Sequence, residues 1–162
     1  MMLNMQTLDG FFDYASATPL NAQVLEQMNP YFTEKFYNPS ALYEVSSEIR
    51  KALDMARKEV AGIIGCKHSE ITFTSGCTEA NNLAITGVMS KNIGGKLLVS
   101  SIEHESVLAV AKNYVHEQIP VTRLGIIDLD YLERQIDDDV VLVSVMYVNN
   151  ELGTVQPLRK IS

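Results

Sequence analysis

The chain has 162 residues, 46% of them hydrophobic and 20% charged, which is enough apolar material for one packed core and excludes gross disorder. Thirteen Lys and Arg against twenty Asp and Glu leave a net charge of −7, which excludes a general binder of nucleic acid or of anionic membranes. Two cysteines cannot form a disulfide framework, so a reducing, cytoplasmic setting is expected.

The opening stretch MMLNMQTLDG has no basic region and no apolar run, so it predicts no secretory leader. No apolar run in the chain approaches the ~20 residues of a membrane helix. Residues 1–45 read as an irregular N-terminal segment with a short helix and a loop, broken by Pro19, Pro30 and Pro39. Residues 46–162 read as the main body. From 46 to 64, Ile49, Leu53, Ala56, Val60 and Ile63 fall three or four apart and predict an amphipathic helix, with Gly65 as its stop. Residues 71–74 predict a strand. Residues 78–92 predict a second helix, closed by Gly94 and Gly95. A strand over 96–100 follows, then a helix over 105–117 with Val107, Leu108, Ala111, Tyr114 and Val115 on one face. Residues 121–124 predict a third strand. Asp128 is a good N-cap for a short helix with Leu129, Leu132 and Ile136 inward. The run VVLVSVMYV over 140–148 predicts a strand buried on both faces. Strands alternating with helices give an α/β fold, a mainly parallel sheet with helices on both faces. The last seven residues, QPLRKIS, read as a helix start with Pro157 at its first position and Leu158 and Ile161 facing a core. Such a helix ends after about one and a half turns, the pattern of a truncated chain.

Three segments carry residues suited to chemistry. In ITFTSGCTEANN, a strand runs through the Ser75-Gly76 turn into a helix start near Thr78. Free backbone N–H groups, the positive helix end and the Thr78 hydroxyl suit a phosphate; equally, Ser75 or Thr78 simply caps the helix. The segment fits neither a Walker loop nor a dinucleotide fingerprint. In SSIEHES, His104 follows the carboxyl end of a strand, where ligands gather in open α/β sheets. It either stacks on an aromatic ligand or moves a proton, or else it caps a helix. In YVNNELG, again at a strand's carboxyl end, an Asn either hydrogen-bonds a polar ring substituent or belongs to an ordinary turn. Taken together, a phosphate cradle, a planar stacking group and an amide suit a phosphorylated aromatic cofactor. Cys66-Lys67-His68 lacks a matching second pair of ligands and predicts no metal site.

With FDYASATPL, YNPSALY, ITFTSGCTEANNLAI, SSIEHESVL and the stretch from GIIDLDYLERQ to VNNELGTVQPL, the chain resembles the N-terminal part of a cysteine desulfurase. That family sits in the class V aminotransferase-like group of fold-type I pyridoxal-phosphate enzymes. The likeness runs in order from about Phe12 to the last residue. It implies that residues 46–162 are the first part of the cofactor-binding large domain, whose strand order in the family is 3-2-4-5-6-7-1. It implies pyridoxal 5'-phosphate as cofactor, with the amides of Cys77 and Thr78 and the Thr78 hydroxyl on the phosphate. His104 would stack on the pyridine ring as the catalytic residue, and Asn150 would hydrogen-bond the ring's phenolic oxygen. Asn38-Pro39-Ser40 would lie at the active-site mouth. Cys77 stands where the family usually has a small Ala, a change that a backbone role tolerates. A thiol at a helix N-terminus is reactive in principle, but by the resemblance the family's nucleophilic cysteine lies beyond residue 162.

By the same resemblance, the parent would turn L-cysteine into L-alanine and an enzyme persulfide, supplying iron–sulfur cluster assembly or tRNA thiolation. It would work as a homodimer with a sulfur-acceptor protein. The family's cofactor-anchoring lysine sits in a Ser/Thr-x-His-Lys context, and none of the eight lysines here has it. Two alternatives stay open: another class V activity, such as a selenocysteine lyase or an aminotransferase, or a non-catalytic remnant acting as an interaction module.

Overall fold

The structure is a computed structural model that describes residues 10–162; the first nine residues of the N-terminal segment, including nearly all of the stretch read for a leader, lie outside the described residues. The chain separates into a unit ending at Phe73 and a unit Thr74–Ser162.

In the first unit, the Asn21 side chain accepts the Gln23 N–H at 2.8 Å and opens α1 (Ala22–Thr33). Pro30 lies inside this helix instead of breaking it. Its missing N–H withholds one donor from the helix, and its carbonyl accepts from Glu34 and Lys35 N–H at 2.9 and 2.7 Å. The second helix, α2 (Glu44–Ile64), carries the predicted stripe, but its buried residues are only Ser46, Ile49 and Ala61. Gly65 stops it as expected, in the left-handed region at φ +80° with its N–H on the Ala61 carbonyl at 2.8 Å. A 3-10 turn, His68–Glu70, follows. Residues 71–74 form no strand. A strand needs a partner backbone, and among the described residues none pairs with it. Ile71 instead gives its carbonyl to Arg57 Nε at 3.2 Å. The described residues hold no group of three metal-ligating side chains.

The second unit holds a parallel sheet. Its elements are α3 (Cys77–Met89), β1 (Lys96–Ser100), α4 (Glu105–Ala111), β2 (His116–Ile119), α5 (Leu129–Gln135), β3 (Val140–Ser144) and α6 (Leu158–Ile161). The strand order is β2-β1-β3, with both pairings parallel. This is the 3-2-4 order that the resemblance implies. β1 is central, and Leu97, Leu98 and Val99 are 0% exposed. Alternation splits them between two cores. Leu97 and Val99 pack with Ile85 and Met89 of α3 and with Val107, Val110 and Ala111 of α4. Leu98 packs on the other face with Ile119, Ile127 and Leu132 of α5. Asp128 caps α5, its side chain accepting the Tyr131 N–H at 2.9 Å. At the entry to β1, a Cβ on Gly95 would lie 2.7 Å from a Val141 methyl, so the close approach of β3 requires glycine there.

Four expectations in this unit need correction. The helix predicted over 105–117 ends at Ala111, because the Val115 carbonyl joins the ladder by accepting from Leu97 N–H at 2.9 Å. The strand predicted over 121–124 lies earlier, at His116–Ile119. Pro120 cannot donate to a ladder, and the chain turns after it, with Gly125 N–H on the Thr122 carbonyl at 2.9 Å. The strand predicted over 140–148 pairs only to Ser144, because β1 has ended by then. It is half-buried, not enclosed on both faces, since it forms the sheet's edge among the described residues. Pro157 sits at the N-cap of α6 instead of the first helical position; Ile161 packs on the second core, and Leu158 is exposed. No helix among the described residues is long and apolar enough to cross a membrane.

Candidate functional site

The carboxyl ends of β1 and β3 lie side by side because the strands are parallel neighbours. The chain leaving β1 and the chain leaving β3 therefore meet, and they enclose a cleft of about 410 Å³. His104, Asn150, Glu103, Asn149 and Glu151 are among its lining residues. Two of the three segments singled out in the sequence thus share one cleft.

His104 is the N-cap of α4. Its Nδ1 accepts the Ser106 backbone N–H at 3.0 Å and lies 2.8 Å from the Ser106 hydroxyl. The capping role weighed in the sequence is therefore real, and it coexists with a place in the cleft, since the cap uses only one edge of an exposed ring. Buried Ser106 accepts in turn from Asn81 Nδ2 on α3 at 2.8 Å.

The loop after β3 is held by Asn149, not by Asn150. Buried Asn149 donates to the Ile102 carbonyl at 2.9 Å and accepts the N–H groups of Glu151 and Leu152 at 3.0 and 2.8 Å. Asn150 is exposed beside it. Glu103 is also buried, and its carboxylate accepts the Met146 N–H, a second tie between the two loops. Burial pushes the Glu103 carboxyl above its ordinary range, against the opposing pull of that hydrogen bond and of His104. Behind the loop, buried Gln156 accepts the Ile127 N–H at 2.9 Å and donates to the Gly125 carbonyl at 2.6 Å.

The α3 N-terminus contributes a separate set of donors. Cys77 and Thr78 are exposed at its start and outside the cleft lining. Among the described residues, no side chain caps this helix, and the amides of Cys77, Thr78 and Glu79 have no acceptor. A Cβ on Gly76 would meet nothing within 4 Å, so space is open beside those amides. The Glu79 carboxylate is engaged by the Ser75 hydroxyl and amide, both at 2.7 Å, and these bonds hold it below its ordinary value. The donor set fits a phosphate group. The cleft does not, because Glu103, Glu105 and Glu151 line it.

Sequence reading missed Asn81, Ser106, Glu103 and Asn149. The sole local signal was the spacing of Ser106 two residues after His104, a capping pattern. The other three act across 25 to 47 residues of chain, which no local pattern encodes.

Comparison with known proteins bears on the same residues. The profile of the aminotransferase class-V family matches residues 10–162. Cysteine desulfurase IscS 1 of Archaeoglobus fulgidus is 44% identical over 160 residues, covering 94% of this chain and 42% of that protein. Cysteine desulfurase IscS of Methanosarcina thermophila is 39% identical over 158 residues, covering 93% of this chain and 39% of that protein. Among solved structures, SspA in complex with cysteine superposes with a TM-score of 0.89 at 38% identity, covering 93% of this chain and 46% of that one. The chain spans about two-fifths of the length of these curated relatives.

Proposed function

The chain belongs to the aminotransferase class-V family, and on that footing we propose that it supplies the N-terminal part of a cysteine desulfurase using pyridoxal 5'-phosphate. In this reading the substrate is L-cysteine and the products are L-alanine and a sulfur atom carried on an enzyme thiol. The working form is a cytoplasmic homodimer that hands the sulfur to an acceptor protein. When bound, the cofactor supplies an electron sink for bonds at the substrate carbon.

The residues of this chain have four tasks. The amides of Cys77 and Thr78 and the Thr78 hydroxyl hold the cofactor phosphate at the α3 N-terminus. His104 lies against the pyridine ring and is the catalytic residue of this part of the chain. Asn150 donates to the ring's phenolic oxygen. Glu103 and Asn149 hold the two loops together so that His104 and Asn150 keep their spacing. The observation that supports the reading most is that His104 and Asn150 line one cleft while the uncapped start of α3 is joined to His104 through Asn81 and Ser106.

The test is the gene. Its sequence beyond the Ser162 codon is expected to encode a Ser/Thr-x-His-Lys segment and a later cysteine. The purified full product is expected to form alanine from L-cysteine in the presence of a thiol acceptor. A full product that forms no alanine above a free-cofactor control, or that acts only on selenocysteine, would overturn the desulfurase reading.

A further inference from the structure

Three side chains from two helices form a one-way hydrogen-bond relay. Asn81 Nδ2 can only donate, and it meets Ser106 Oγ at 2.8 Å. The Ser106 hydroxyl therefore uses a lone pair there and keeps its proton for another acceptor. His104 Nδ1 lies 2.8 Å away and also faces the Ser106 backbone N–H at 3.0 Å. A backbone N–H is a donor whatever the pH, so Nδ1 must present its lone pair. All three bonds run toward one nitrogen. Ser106 is buried and Asn81 is partly buried, so water does not compete freely for either end.

We propose that Asn81 and Ser106 are positioning residues that hold His104 as the Nε2–H tautomer, with its ring plane fixed at the mouth of the cleft. The proposal rests on the reading of His104 given above and adds what sets its state. The imidazole cannot turn over without breaking bonds to both its backbone and its hydroxyl donor. The proton stays on Nε2, which has no partner among the described residues and belongs to a ring lining the cleft. The α3 helix, whose first turn carries the phosphate donors, reaches the histidine through Asn81 one turn further along. One helix thus orders both parts of the site.

The test reads the lone pair directly. Diethyl pyrocarbonate attacks an unprotonated imidazole nitrogen, and the chain has three histidines, His68, His104 and His116, which peptide mapping separates. The purified 162-residue chain is treated in mildly alkaline buffer without cofactor. His104 is exposed, yet it is expected to react more slowly than His116, because its one free lone pair is occupied. Ser106→Ala should raise the His104 rate relative to His116 by about 2- to 10-fold, the effect of losing one hydrogen bond of ordinary net strength. Ser106→Thr, which keeps the hydroxyl, should restore the slow rate, and Asn81→Ala should give a smaller rise. A His104 to His116 ratio unchanged in Ser106→Ala, or raised equally in Ser106→Thr, would overturn the proposal. If Ser106→Ala unfolds, His116 accelerates as well, and Asn81→Ala decides: a rise confined to His104 supports the relay, and no rise sinks it. Binding of pyridoxine 5'-phosphate, measured separately, reports on the cofactor reading. Loss of binding with an intact reactivity pattern contradicts that reading alone.

Discussion

Asn149 Nδ2 donates to the Ile102 carbonyl at 2.9 Å, bridging 47 positions of sequence, and this bond joins the loop leaving β3 to the loop leaving β1. Its neighbour Asn150 stands exposed in the same cleft. Of two adjacent asparagines, one ties the loops together and the other is left exposed in the cleft.

That division predicts opposite phenotypes. Asn149→Ala strands the Ile102 carbonyl and the amides of Glu151 and Leu152, and should cost about 1–3 kcal/mol in urea unfolding. Asn150→Ala removes an exposed side chain and should stay within about 0.5 kcal/mol of the unaltered chain. Equal losses from both changes would mean that Asn150 also holds the loop.

Glu103 predicts a pH dependence. Burial raises its folded-state value above the ordinary 4.5, more than the Met146 N–H and His104 lower it. The folded chain then holds that proton more tightly than the unfolded chain does. Its contribution is fully present below the ordinary carboxyl value and is lost as pH rises through the raised one. Glu103→Gln keeps an acceptor for Met146 and removes the buried charge. Unfolding midpoints measured from pH 4 to pH 7, a window that opens about half a unit below the ordinary value and closes well above it, should fall less in the variant than in the unaltered chain. A steeper fall in the variant would contradict the burial argument.

The 162-residue chain by itself should release neither sulfide nor alanine from L-cysteine. None of its eight lysines lies in the Ser/Thr-x-His-Lys context, and losing the group that makes a covalent intermediate removes the route itself. Quantifying alanine after incubation with cysteine and pyridoxal 5'-phosphate checks this. Turnover above the cofactor-only control would contradict it.

Unfolding of the chain should be broad or stepwise. In the unit ending at Phe73, α2 buries only Ser46, Ile49 and Ala61, while Leu42 is 97% and Ile63 87% exposed. The unit Thr74–Ser162 buries Leu97, Leu98, Val99 and Ser100 of β1, the three apolar ones divided between two cores. With apolar burial worth ~25 cal/mol per Å², the first unit has far less to hold it. Circular dichroism in urea should show helix loss before the sheet yields, and a hydrophobic dye should bind before the main transition. One steep transition without dye binding would show that the chain folds as a single cooperative body.

Much of this architecture was legible because its signals are local. The Gly65 stop, the Asp128 cap and the apolar run of β1 each follow from neighbouring residues. The errors fall where a partner decides. The helix after His104 is shorter than its periodicity predicts, because Val115 is apolar on either pattern and only pairing with Leu97 makes it strand-like. The run ending at Val148 keeps a strand's composition past Ser144, but β1 has stopped, so Met146 turns to Glu103. In the cleft, His104 and Asn150 were legible as motifs that follow the carboxyl ends of strands. The residues that hold them, Asn81, Ser106, Glu103 and Asn149, became visible only once distant segments met.

The central claim is that the α3 N-terminus, His104 and Asn150 form one site for a phosphorylated pyridine. Pyridoxine 5'-phosphate tests it most directly, since it lacks the aldehyde that reacts with surface lysines. Calorimetric titration of the purified chain is expected to show one saturable site. Thr78→Ala, His104→Ala and Asn150→Ala should each weaken it by about 5-fold or more, the effect of one charge-assisted or ring contact, while circular dichroism stays unchanged. Binding left intact by all three substitutions, or no saturable binding to the folded chain, would contradict the account.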